Sequence, residues 1–535
     1  MHEMKLSNIK TGAALFVGIA VGLTAFAQKS AQQDVDGSAD AYTNQKSGKP
    51  VPEVRVEDGR EYLYWPGWNQ SKNRKLQVRR ERTTHPDAQW WPHAGLGLFM
   101  HWGPYSQWGI VESWSLCSED VGWCERSMDD YHEYKKAYEA LQTTFNPTEF
   151  DPERWARAAR DAGMKYVVFT TKHHDGFSMF DTRLTDYRIT APATPFGADP
   201  RADVTKGILD AFRQEGFMTG VYFSKPDWHS PDYWWPYFAT PDRNPNYDID
   251  RYPERWQRFV DFTHGQIDEL MSNYGPVDIL WLDGGWVQRL TPEEVTAYMS
   301  SPDNSQLRVQ SQDIDMPRLV ETARKKQPGL IVVDRAVDGP YQNYLTPEAR
   351  VPDQAIPYPW EVPMPMATSW SFKPDDTYKS TRTLVHMLAD VVSKGGNLLL
   401  NIGPGPDGNW HDAAYDRLAE LGAWMAVNGE AIYETRILSP YEEGKVRFTR
   451  RTDGTAYAIY LADEGEERLP ASMSITALTP ASGATISLLG GDVDLPWNRA
   501  DAGFVVELPE PLRSHLPGEH AWVLKISALE QDRRQ

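Results

Sequence analysis

One arrangement recurs along this chain and limits what it can fold into: an amphipathic helix, then a glycine, then a short apolar strand. Asp151-Pro152-Glu153 begins the first such helix and Gly163 ends it, because aspartate favours the start of a helix and glycine favours its end. The strands predicted in this series lie at residues 96–102, 166–171, 220–224, 277–282, 330–334 and 397–402. Strands that alternate with helices pair in parallel, so the pattern predicts an α/β fold with a parallel sheet.

A doubly wound sheet and a (β/α)8 barrel both fit this alternation. The first strand is not followed by G-x-G-x-x-G, which is the usual sign of a nucleotide-binding sheet. Instead, the strands end in polar or aromatic residues, and chemistry that converges from several strand ends is typical of a barrel. We therefore predict a (β/α)8-like (TIM-type) barrel over residues 85–435.

The periodicity changes after Tyr433. Residues 445–451 and 455–461 alternate between apolar and polar around Asp453-Gly454, which is a strong hairpin signal. Several short strands follow, and together they predict a C-terminal β-sandwich domain over residues 436–535. We expect this domain to pack against the barrel, with sugar binding as the alternative role.

The N-terminus has the features of an export signal. Lys5 and Lys10 precede an apolar run over residues 11–27 that ends Ala25-Phe26-Ala27, a small-residue cleavage pattern. A transmembrane anchor is the alternative, but the run is short and rich in small residues. We predict a signal peptide at residues 1–27, a periplasmic or secreted protein without a membrane anchor after cleavage, and a polar tether and lead-in at residues 28–84.

Composition excludes some partners and favours others. The net charge of −20 argues against nucleic acid or an anionic membrane, since both require a basic surface. The 21 Trp and 25 Tyr fit either a large core or the binding of sugars, whose C–H faces pack on aromatic rings. The only two cysteines, Cys117 and Cys124, are compatible with a local disulfide or with two thiols, and are too few for a metal site.

The segment Lys165–Thr182 combines a buried strand with an abrupt polar end, in which His173 and His174 are adjacent. Polar groups at the mouth of a core strand are costly unless they bind something. Together with His101 and Asp283 they suggest a metal centre, but adjacent residues of an extended strand point to opposite faces and make a poor ligand pair. We therefore expect no metal, and imidazoles that hydrogen-bond to hydroxyl groups of a ligand.

Carboxylates at the strand ends are candidates for catalysis. Asp283 follows the apolar strand at 277–282 and precedes two glycines, so it is placed to act as nucleophile, general base or metal ligand. A second acid is needed for acid/base hydrolysis. Glu348 and Glu361 both follow the fifth strand, in a proline-rich segment that we expect to form a stiff loop over the barrel mouth.

At this point the chain resembles the α-L-fucosidases of glycoside hydrolase family 29. The matching segments are GLFMHWGPYS (97–106), KYVVFTTKHHDGFSMFDT (165–182), GVYFS (220–224), DILWLDGG (278–285), VDR (333–335), TPE (346–348), PWE (359–361), SW (369–370) and NLLLNIGPGPDG (397–408). The family fold is a (β/α)8-like barrel with a C-terminal β-sandwich, which agrees with the pattern above.

The resemblance implies a retaining exo-α-L-fucosidase that acts on a fucosylated oligosaccharide or polysaccharide without metal or organic cofactor. It makes Asp283 the nucleophile and Glu348 the acid/base, with Glu361 as the second candidate for the acid. The residues implied to bind the sugar are His101, Glu112, Trp114, His173, His174, Tyr222, Trp281, Arg335 and Trp370. Another barrel exo-glycosidase, a metal-dependent hydrolase and a non-catalytic sugar-binding protein are the alternatives; the oligomeric state is left open.

Overall fold

The computed structural model describes residues 88–530 apart from short gaps, together with three short strands nearer the N-terminus. The gaps lie at residues 118–123, 125, 241, 302–303, 305, 336, 338–340, 357 and 492. The predicted signal peptide lies outside the described residues and stays a prediction. In the part of the chain that is described, no helix combines the length and the apolar character needed to cross a membrane.

Part of the predicted tether forms a small antiparallel sheet. Its strands, in the spatial order β1-β2-β3, are β1 (Glu53–Glu57), β2 (Arg60–Trp65) and β3 (Arg74–Gln77). The sequence predicted a polar tether and lead-in at residues 28–84 and no strand within it, so this sheet is an addition to that prediction.

The centre of the molecule is a parallel sheet of seven strands. They are β4 (Leu96–Met100), β5 (Tyr166–Lys172), β6 (Met218–Ser224), β7 (Ile279–Asp283), β8 (Ile331–Asp334), β9 (Glu361–Pro365) and β10 (Asn397–Asn401). Their spatial order is β8-β7-β6-β5-β4-β10-β9, so the last strands of the chain return beside the first. Every pairing between neighbours is parallel, which confirms the predicted (β/α)8-like barrel.

A short extended segment fills the space between the two ends of this sheet. The Asn343 amide donates to the Val332 carbonyl of β8 at 2.8 Å, and Leu345 forms a parallel bridge with Trp360, which precedes β9. The segment therefore stands where an eighth strand would close the barrel, and the residues that follow Leu345 emerge at the same end as the other strand ends.

Helices cover the outside of the sheet. They are α1 (Tyr131–Ala140), α2 (Pro152–Asp161), α3 (Val204–Gln214), α4 (Pro253–Asn273), α5 (Pro292–Met299), α6 (Met316–Lys326), α7 (Thr381–Ser393) and α8 (Asp412–Asn428). Helix α2 begins as predicted: Asp151 accepts a hydrogen bond from the Arg154 amide, and Pro152 occupies the first turn, where an N–H would lack a partner. Its buried residues include Trp155 and Ala159, which belong to the apolar layer between sheet and helices.

The C-terminal part consists of two antiparallel sheets around their own apolar core, which confirms the predicted β-sandwich. The elements are β11 (Thr435–Glu443), β12 (Val446–Arg451), β13 (Ala456–Leu461), β14 (Ser472–Ile475), β15 (Ile486–Leu488), β16 (Trp497–Arg499), β17 (Phe504–Glu507), helix α9 (Glu510–Arg513) and β18 (Ala521–Ile526). The sandwich is joined to the barrel by a buried ion pair, in which Arg447 Nε lies 2.7 Å from Asp390 Oδ1 of α7.

Candidate active site

Side chains of the strands change from aromatic to polar as the strands approach the mouth of the barrel. Residues two apart on a strand share a face, so Trp281 and Asp283 of β7 both point inward, with the aspartate nearer the mouth. The same order holds on β4, where the aromatic Phe99 is followed two residues later, just beyond the strand, by the polar His101. The Trp281 ring is stacked on Tyr222 with a centroid distance of 5.4 Å, and together with Phe99 these rings form an aromatic floor.

Asp283 is held by three groups from three parts of the chain. Its Oδ1 accepts hydrogen bonds from the Gly284 amide at 2.7 Å and from Arg335 Nη1 at 3.0 Å. Its Oδ2 accepts a hydrogen bond from the Tyr222 hydroxyl at 2.8 Å and lies 3.9 Å from His174 Nε2. Since Asp283 ends β7 and Tyr222 lies on the adjacent β6, the parallel pairing itself brings these groups together.

These contacts keep Asp283 ionised. Burial alone would raise the pKa of the carboxyl group, but the positive charge of Arg335 and the hydrogen bonds from Tyr222 and Gly284 lower it below its usual range. Desolvation also raises the pKa of the Tyr222 hydroxyl far above its usual value, so that this hydroxyl remains a donor. The site therefore presents an ionised carboxylate of fixed orientation, as a nucleophile requires.

Glu348 emerges at the same end of the barrel, three residues after the bridge formed by Leu345. The two terminal nitrogens of one guanidinium serve both acids: Arg335 Nη1 contacts Asp283, and Nη2 forms an ion pair with Glu348 Oε2. The Glu348 side chain is more exposed than that of Asp283, 24% against 10%. A guanidinium presents its donors in a rigid fork, so two carboxylates that bind its two terminal nitrogens lie close to each other.

His173 and His174 do not point to opposite faces, which corrects our prediction. Strand β5 ends at Lys172, with an irregularity in its register between Thr170 and Lys172, and both histidines lie in the turn that follows. Their rings are 4.3 Å apart and both are buried. The prediction assumed an extended backbone through both residues; because the chain has left the strand, both imidazoles reach the site.

Polar partners fix the orientation of two of the imidazoles. Asn401 Nδ2 donates to the Trp370 carbonyl, so its Oδ1 accepts from His101 Nδ1 at 2.8 Å. The Ser224 hydroxyl donates to the Pro226 carbonyl and therefore accepts from His174 Nδ1. In both rings the second nitrogen, Nε2, is left as an acceptor, which suits a hydroxyl donor such as a sugar provides.

The third imidazole, His173, lies with its Nδ1 2.6 Å from the Ser113 hydroxyl oxygen and is stacked parallel to Tyr222 at 5.7 Å. Burial lowers the pKa of all three imidazoles: that of His101 to about 4, that of His174 to about 3, and that of His173 well below its usual value. At neutral pH the three rings are uncharged, so they recognise hydroxyl groups without adding positive charge beside Asp283.

We expect His101 to make the protein less stable in acid. The unfolded chain binds a proton on this side chain below about pH 6.5, whereas the folded chain does so only near pH 4. Proton uptake therefore favours unfolding as the pH falls through that window. In His101→Gln this contribution is absent, so its free energy of unfolding, measured by denaturant titration, should fall less steeply between pH 6.5 and 4 than that of the wild type.

His132 on helix α1 supplies the matched control, because its side chain is exposed instead of buried. The comparison with His132→Gln separates the effect of burying an imidazole from the effect of removing a histidine. Equal slopes for His101→Gln and the wild type would contradict the proposed neutrality of the buried ring.

Glu112 is a buried acid, and Lys373 is the cation that acts on it electrostatically. It is 2% exposed, its amide donates to Ser371 Oγ at 3.3 Å, and its Oε1 has no hydrogen-bond partner among the described residues. Burial raises the pKa of this carboxyl group to about 8, although Lys373 and Ser371 oppose the shift. A buried polar atom without a partner is costly, so it is a candidate to accept or donate a hydrogen bond with a bound ligand.

The remaining predicted aromatic residues lie at different depths. Trp281 is fully buried in the floor, where its Nε1 donates to Glu361 at 3.3 Å. Trp370 is half-buried, with its ring 5.3 Å from His101. Trp114 is also half-buried, with its ring 5.0 Å from His174. Of the three tryptophans predicted to bind the sugar, Trp370 and Trp114 are therefore partly accessible beside the histidines, and Trp281 lies buried in the floor.

Glu361 does not lie on a loop over the mouth, which corrects the predicted position of the second candidate acid. It is the first residue of β9 and is fully buried. Its carboxylate accepts from the hydroxyl of Tyr166, the first residue of β5, at 2.6 Å. The strands are parallel, so residues that begin them lie at the end of the barrel opposite to Asp283. Burial raises the pKa of Glu361 to about 7, but this carboxyl group lies away from the mouth of the barrel.

Two further predictions concern sulfur and metal. Cys117 and Cys124 are both buried, and the structure records them as thiols. Ligand atoms of His173, His174 and Asp283 lie within 4.8 Å of one another, so these three residues are close enough to hold a metal ion. The carboxylate also contacts Arg335 and Tyr222, and Nδ1 of each ring faces a serine hydroxyl.

Sequence reasoning missed the groups that orient the site. Ser113 and Asn401 position histidines that lie 60 and 300 residues away in the chain. Lys225 Nζ lies 2.6 Å from Asp334 Oδ1, in a fully buried pair directly behind Arg335. The polar residue that ends β10 indicates that Asn401 lies at the mouth of the barrel, although it does not indicate its partner.

Comparison with known proteins identifies relatives over most of the chain. The family model described as alpha-L-fucosidase matches residues 68–430, and the model of the alpha-L-fucosidase C-terminal domain matches residues 441–527. The tissue alpha-L-fucosidase of Mus musculus is 28% identical over 462 residues, covering 83% of this chain and 92% of the mouse protein. The human tissue alpha-L-fucosidase is also 28% identical, with 87% of this chain and 92% of the human protein covered.

Solved structures agree with these relatives. Alpha-L-fucosidase isoenzyme 1 from Paenibacillus thiaminolyticus superposes with a TM-score of 0.65 at 30% identity, covering 83% of this chain and 99% of that protein. The Thermotoga maritima alpha-fucosidase, solved with a mechanism-based inhibitor, gives a TM-score of 0.62 at 26% identity, covering 84% of this chain and 98% of that protein.

Proposed function

This chain belongs to the α-L-fucosidase family of glycoside hydrolases, and from that premise we propose that it removes terminal α-L-fucose from glycans with retention of configuration. In this proposal Asp283 is the nucleophile and Glu348 is the acid/base. The observation that carries it is the arginine between the two acids: Arg335 contacts both carboxylates with one guanidinium. That arrangement suits the short carboxylate spacing of retaining enzymes, about 5–5.5 Å, better than the wider spacing of inverting ones.

In the first step, Asp283 displaces the leaving group from the anomeric carbon of fucose. An Asp283 oxygen attacks C1 and forms a glycosyl–enzyme ester, while the bond from C1 to the leaving oxygen breaks. Glu348 gives its proton to that oxygen, so the leaving group departs as a neutral alcohol. Tyr222, Arg335 and the Gly284 amide hold the aspartate in place for this attack, because their hydrogen bonds fix both of its oxygens.

The second step reverses the roles. Glu348, now a carboxylate, removes a proton from water, and the water oxygen attacks C1 and releases Asp283. Two inversions at the same carbon give net retention. The larger exposure of Glu348 fits this alternation, since the residue must exchange a proton with the leaving group and with solvent.

The neutral side chains around Asp283 and Glu348 recognise the substrate. The acceptor nitrogens of His101 and His174 suit sugar hydroxyls, and the aromatic rings beside them suit the C–H face and methyl group of a 6-deoxy sugar. Burial of one methyl group is worth about 0.8 kcal/mol. Because no cationic imidazole surrounds the sugar at neutral pH, a neutral hexose fits this pocket better than an acidic one.

The stereochemical course of hydrolysis tests the proposal directly. An aryl α-L-fucoside is hydrolysed in an NMR tube, and the first fucose released is observed before it mutarotates. We expect α-L-fucose as the initial product. Initial β-L-fucose would contradict the retaining mechanism, and the absence of activity on α-L-fucosides, with activity on another glycoside in a panel of aryl sugars, would contradict the substrate.

Activity should not depend on a metal ion, although three residues of the site are close enough to bind one. A cation at His173, His174 and Asp283 would compete with Arg335 for the aspartate and would occupy the nucleophile. We expect unchanged kcat and KM on an aryl α-L-fucoside after treatment with EDTA and dialysis. Loss of activity that zinc or another divalent ion restores would show that the metal-dependent alternative is right.

A further inference from the structure

Trp286 is a half-buried tryptophan close to the nucleophile in the chain, and the proposed mechanism gives it no role. It follows Asp283 by three residues, in the sequence Asp283-Gly284-Gly285-Trp286. Its ring is 5.1 Å from that of His174, whose Nε2 lies 3.9 Å from Asp283. Trp286 therefore packs against the imidazole that neighbours the nucleophile.

The backbone that carries Trp286 is a tight and well-fixed turn. The Val287 amide donates to the Gly284 carbonyl at 2.9 Å, and Gly284 has a φ of +89°, a conformation that favours glycine. A Cβ atom at Gly284 would lie 2.4 Å from the Pro226 ring, so the turn packs directly on the neighbouring loop. Lys225 Nζ donates to the Val287 carbonyl at 2.9 Å and ties the far side of the turn to β6.

The indole itself is also held in place. Trp286 Nε1 donates to the hydroxyl of the fully buried Tyr233 at 3.1 Å. The guanidinium carbon of Arg243 lies 5.1 Å from the Trp286 ring and 5.1 Å from the Trp114 ring, so a buried cation is placed beside both indoles. Nearby Trp228 and Trp234 are fully buried, whereas Trp114 and Trp286 retain exposed surface.

We propose that Trp286 is the platform for the first sugar ring of the leaving group, on which the C–H face of a pyranose stacks while its glycosidic oxygen faces Glu348. This inference rests on the proposed function, because it needs a fucosyl group bound over Asp283. A fixed aromatic side chain binds a ring at low cost in conformational entropy. It selects fucosides whose leaving group is a pyranose sugar over those with a small or flexible leaving group.

Two substrates with the same fucosyl group and different leaving groups separate this role from others. α-L-Fucosyl fluoride loses a single atom that cannot reach Trp286, whereas an α-L-fucosyl-galactose disaccharide loses a pyranose. For Trp286→Ala we expect kcat/KM on the disaccharide to fall about tenfold or more, where tenfold equals about 1.4 kcal/mol. On fucosyl fluoride kcat/KM should stay within about twofold of the wild type. Trp286→Phe should recover most of the loss, since it restores an aromatic face.

Trp235 supplies a matched control: it is a half-buried tryptophan that packs on Arg255 at 3.9 Å and on Tyr252, not on His174. Trp235→Ala should change the two kcat/KM values in parallel. If Trp286→Ala lowers both values equally, the indole only supports His174 and the proposal is wrong; it is also wrong if neither value changes. A wild-type enzyme inactive on both substrates would instead overturn the proposed function.

Discussion

Replacing Asp283 with glycine or asparagine is expected to lower kcat/KM on an aryl α-L-fucoside by roughly 10,000-fold or more, the scale seen when a nucleophilic group is removed. No other carboxylate among the described residues has the same position: Asp283 alone ends β7 and receives Tyr222, Arg335 and Gly284 together. Without it, the fucosyl group has no acceptor that it can bond to covalently. Initial rates of aryl release measure the effect.

The matched control for Asp283 is Asp278, which directly precedes the same strand and lies at the opposite end of the barrel. Its Oδ2 accepts a hydrogen bond from the Thr219 amide at 2.7 Å, so its side chain holds β6 and β7 together at their start. Asp278→Asn should keep near-wild-type kcat/KM. Thermal unfolding of both variants shows whether the fold survives, and near-wild-type activity of a folded Asp283→Gly would contradict the assignment.

An external nucleophile adds a stereochemical check on Asp283. In Asp283→Gly the space left by the side chain admits azide to the face of C1 that the aspartate had attacked. A single displacement by azide inverts C1, so an activated α-L-fucoside should yield β-L-fucosyl azide. Formation of the α-azide would show that a second nucleophile still acts in this variant.

The position of Asp283 could be predicted because the signal was local. An apolar run that ends in Asp283 and two glycines specifies a strand, its end and a turn, all within a few residues. The same holds for His101, which follows β4 directly. Once the barrel is predicted, parallel strands place all such ends at one edge, so a set of residues far apart in sequence is brought together by the fold class alone.

For Glu361, the local sequence pattern led to a wrong prediction of its position. Its segment contains Pro359, Pro363 and Pro365, and prolines argue against a central strand because they lack an N–H. Strand β9 tolerates them because it is the terminal strand of the sheet and pairs fully on one side only, with β10. The sequence pattern therefore predicted a loop where the protein has an edge strand that begins at the far end of the barrel.

The groups that orient the site lie beyond any local pattern. Asn401 sets the tautomer of His101 from 300 positions away, and Lys225 pairs with Asp334 across 109 positions. Nothing in the neighbourhood of either residue indicates its partner. The turn that brings His173 and His174 to the same side is a similar case, because it depends on an irregularity in β5 that the residue types do not specify.

Replacing Glu348 with alanine is expected to reduce kcat/KM by roughly 100- to 10,000-fold on a fucosyl disaccharide, the range typical of general acid–base catalysis. An activated aryl fucoside should lose much less in the first step, since its leaving group departs without a proton. The glycosyl–enzyme should then accumulate, because no base remains to activate water. A burst of aryl release followed by a slow steady rate is the expected result.

Azide should restore turnover of this variant, since it is already an anion and needs no base. The second displacement then occurs on the ester with Asp283, so the product should be α-L-fucosyl azide, the opposite anomer to that expected from Asp283→Gly. The two variants thus report on the two carboxylates independently, even though Arg335 joins them.

Glu361→Gln is the matched comparison for Glu348, because it tests whether a perturbed pKa or a position at the mouth defines the acid. Burial raises the pKa of Glu361 to about 7, a value that would suit an acid/base residue. Its hydrogen bonds with Tyr166 and Trp281 instead give it a structural role beneath the aromatic floor. We expect Glu361→Gln to lower the melting temperature and to leave turnover insensitive to azide. Rescue of the Glu361 variant alone would reverse the assignment, since azide can replace only the residue that activates the incoming nucleophile.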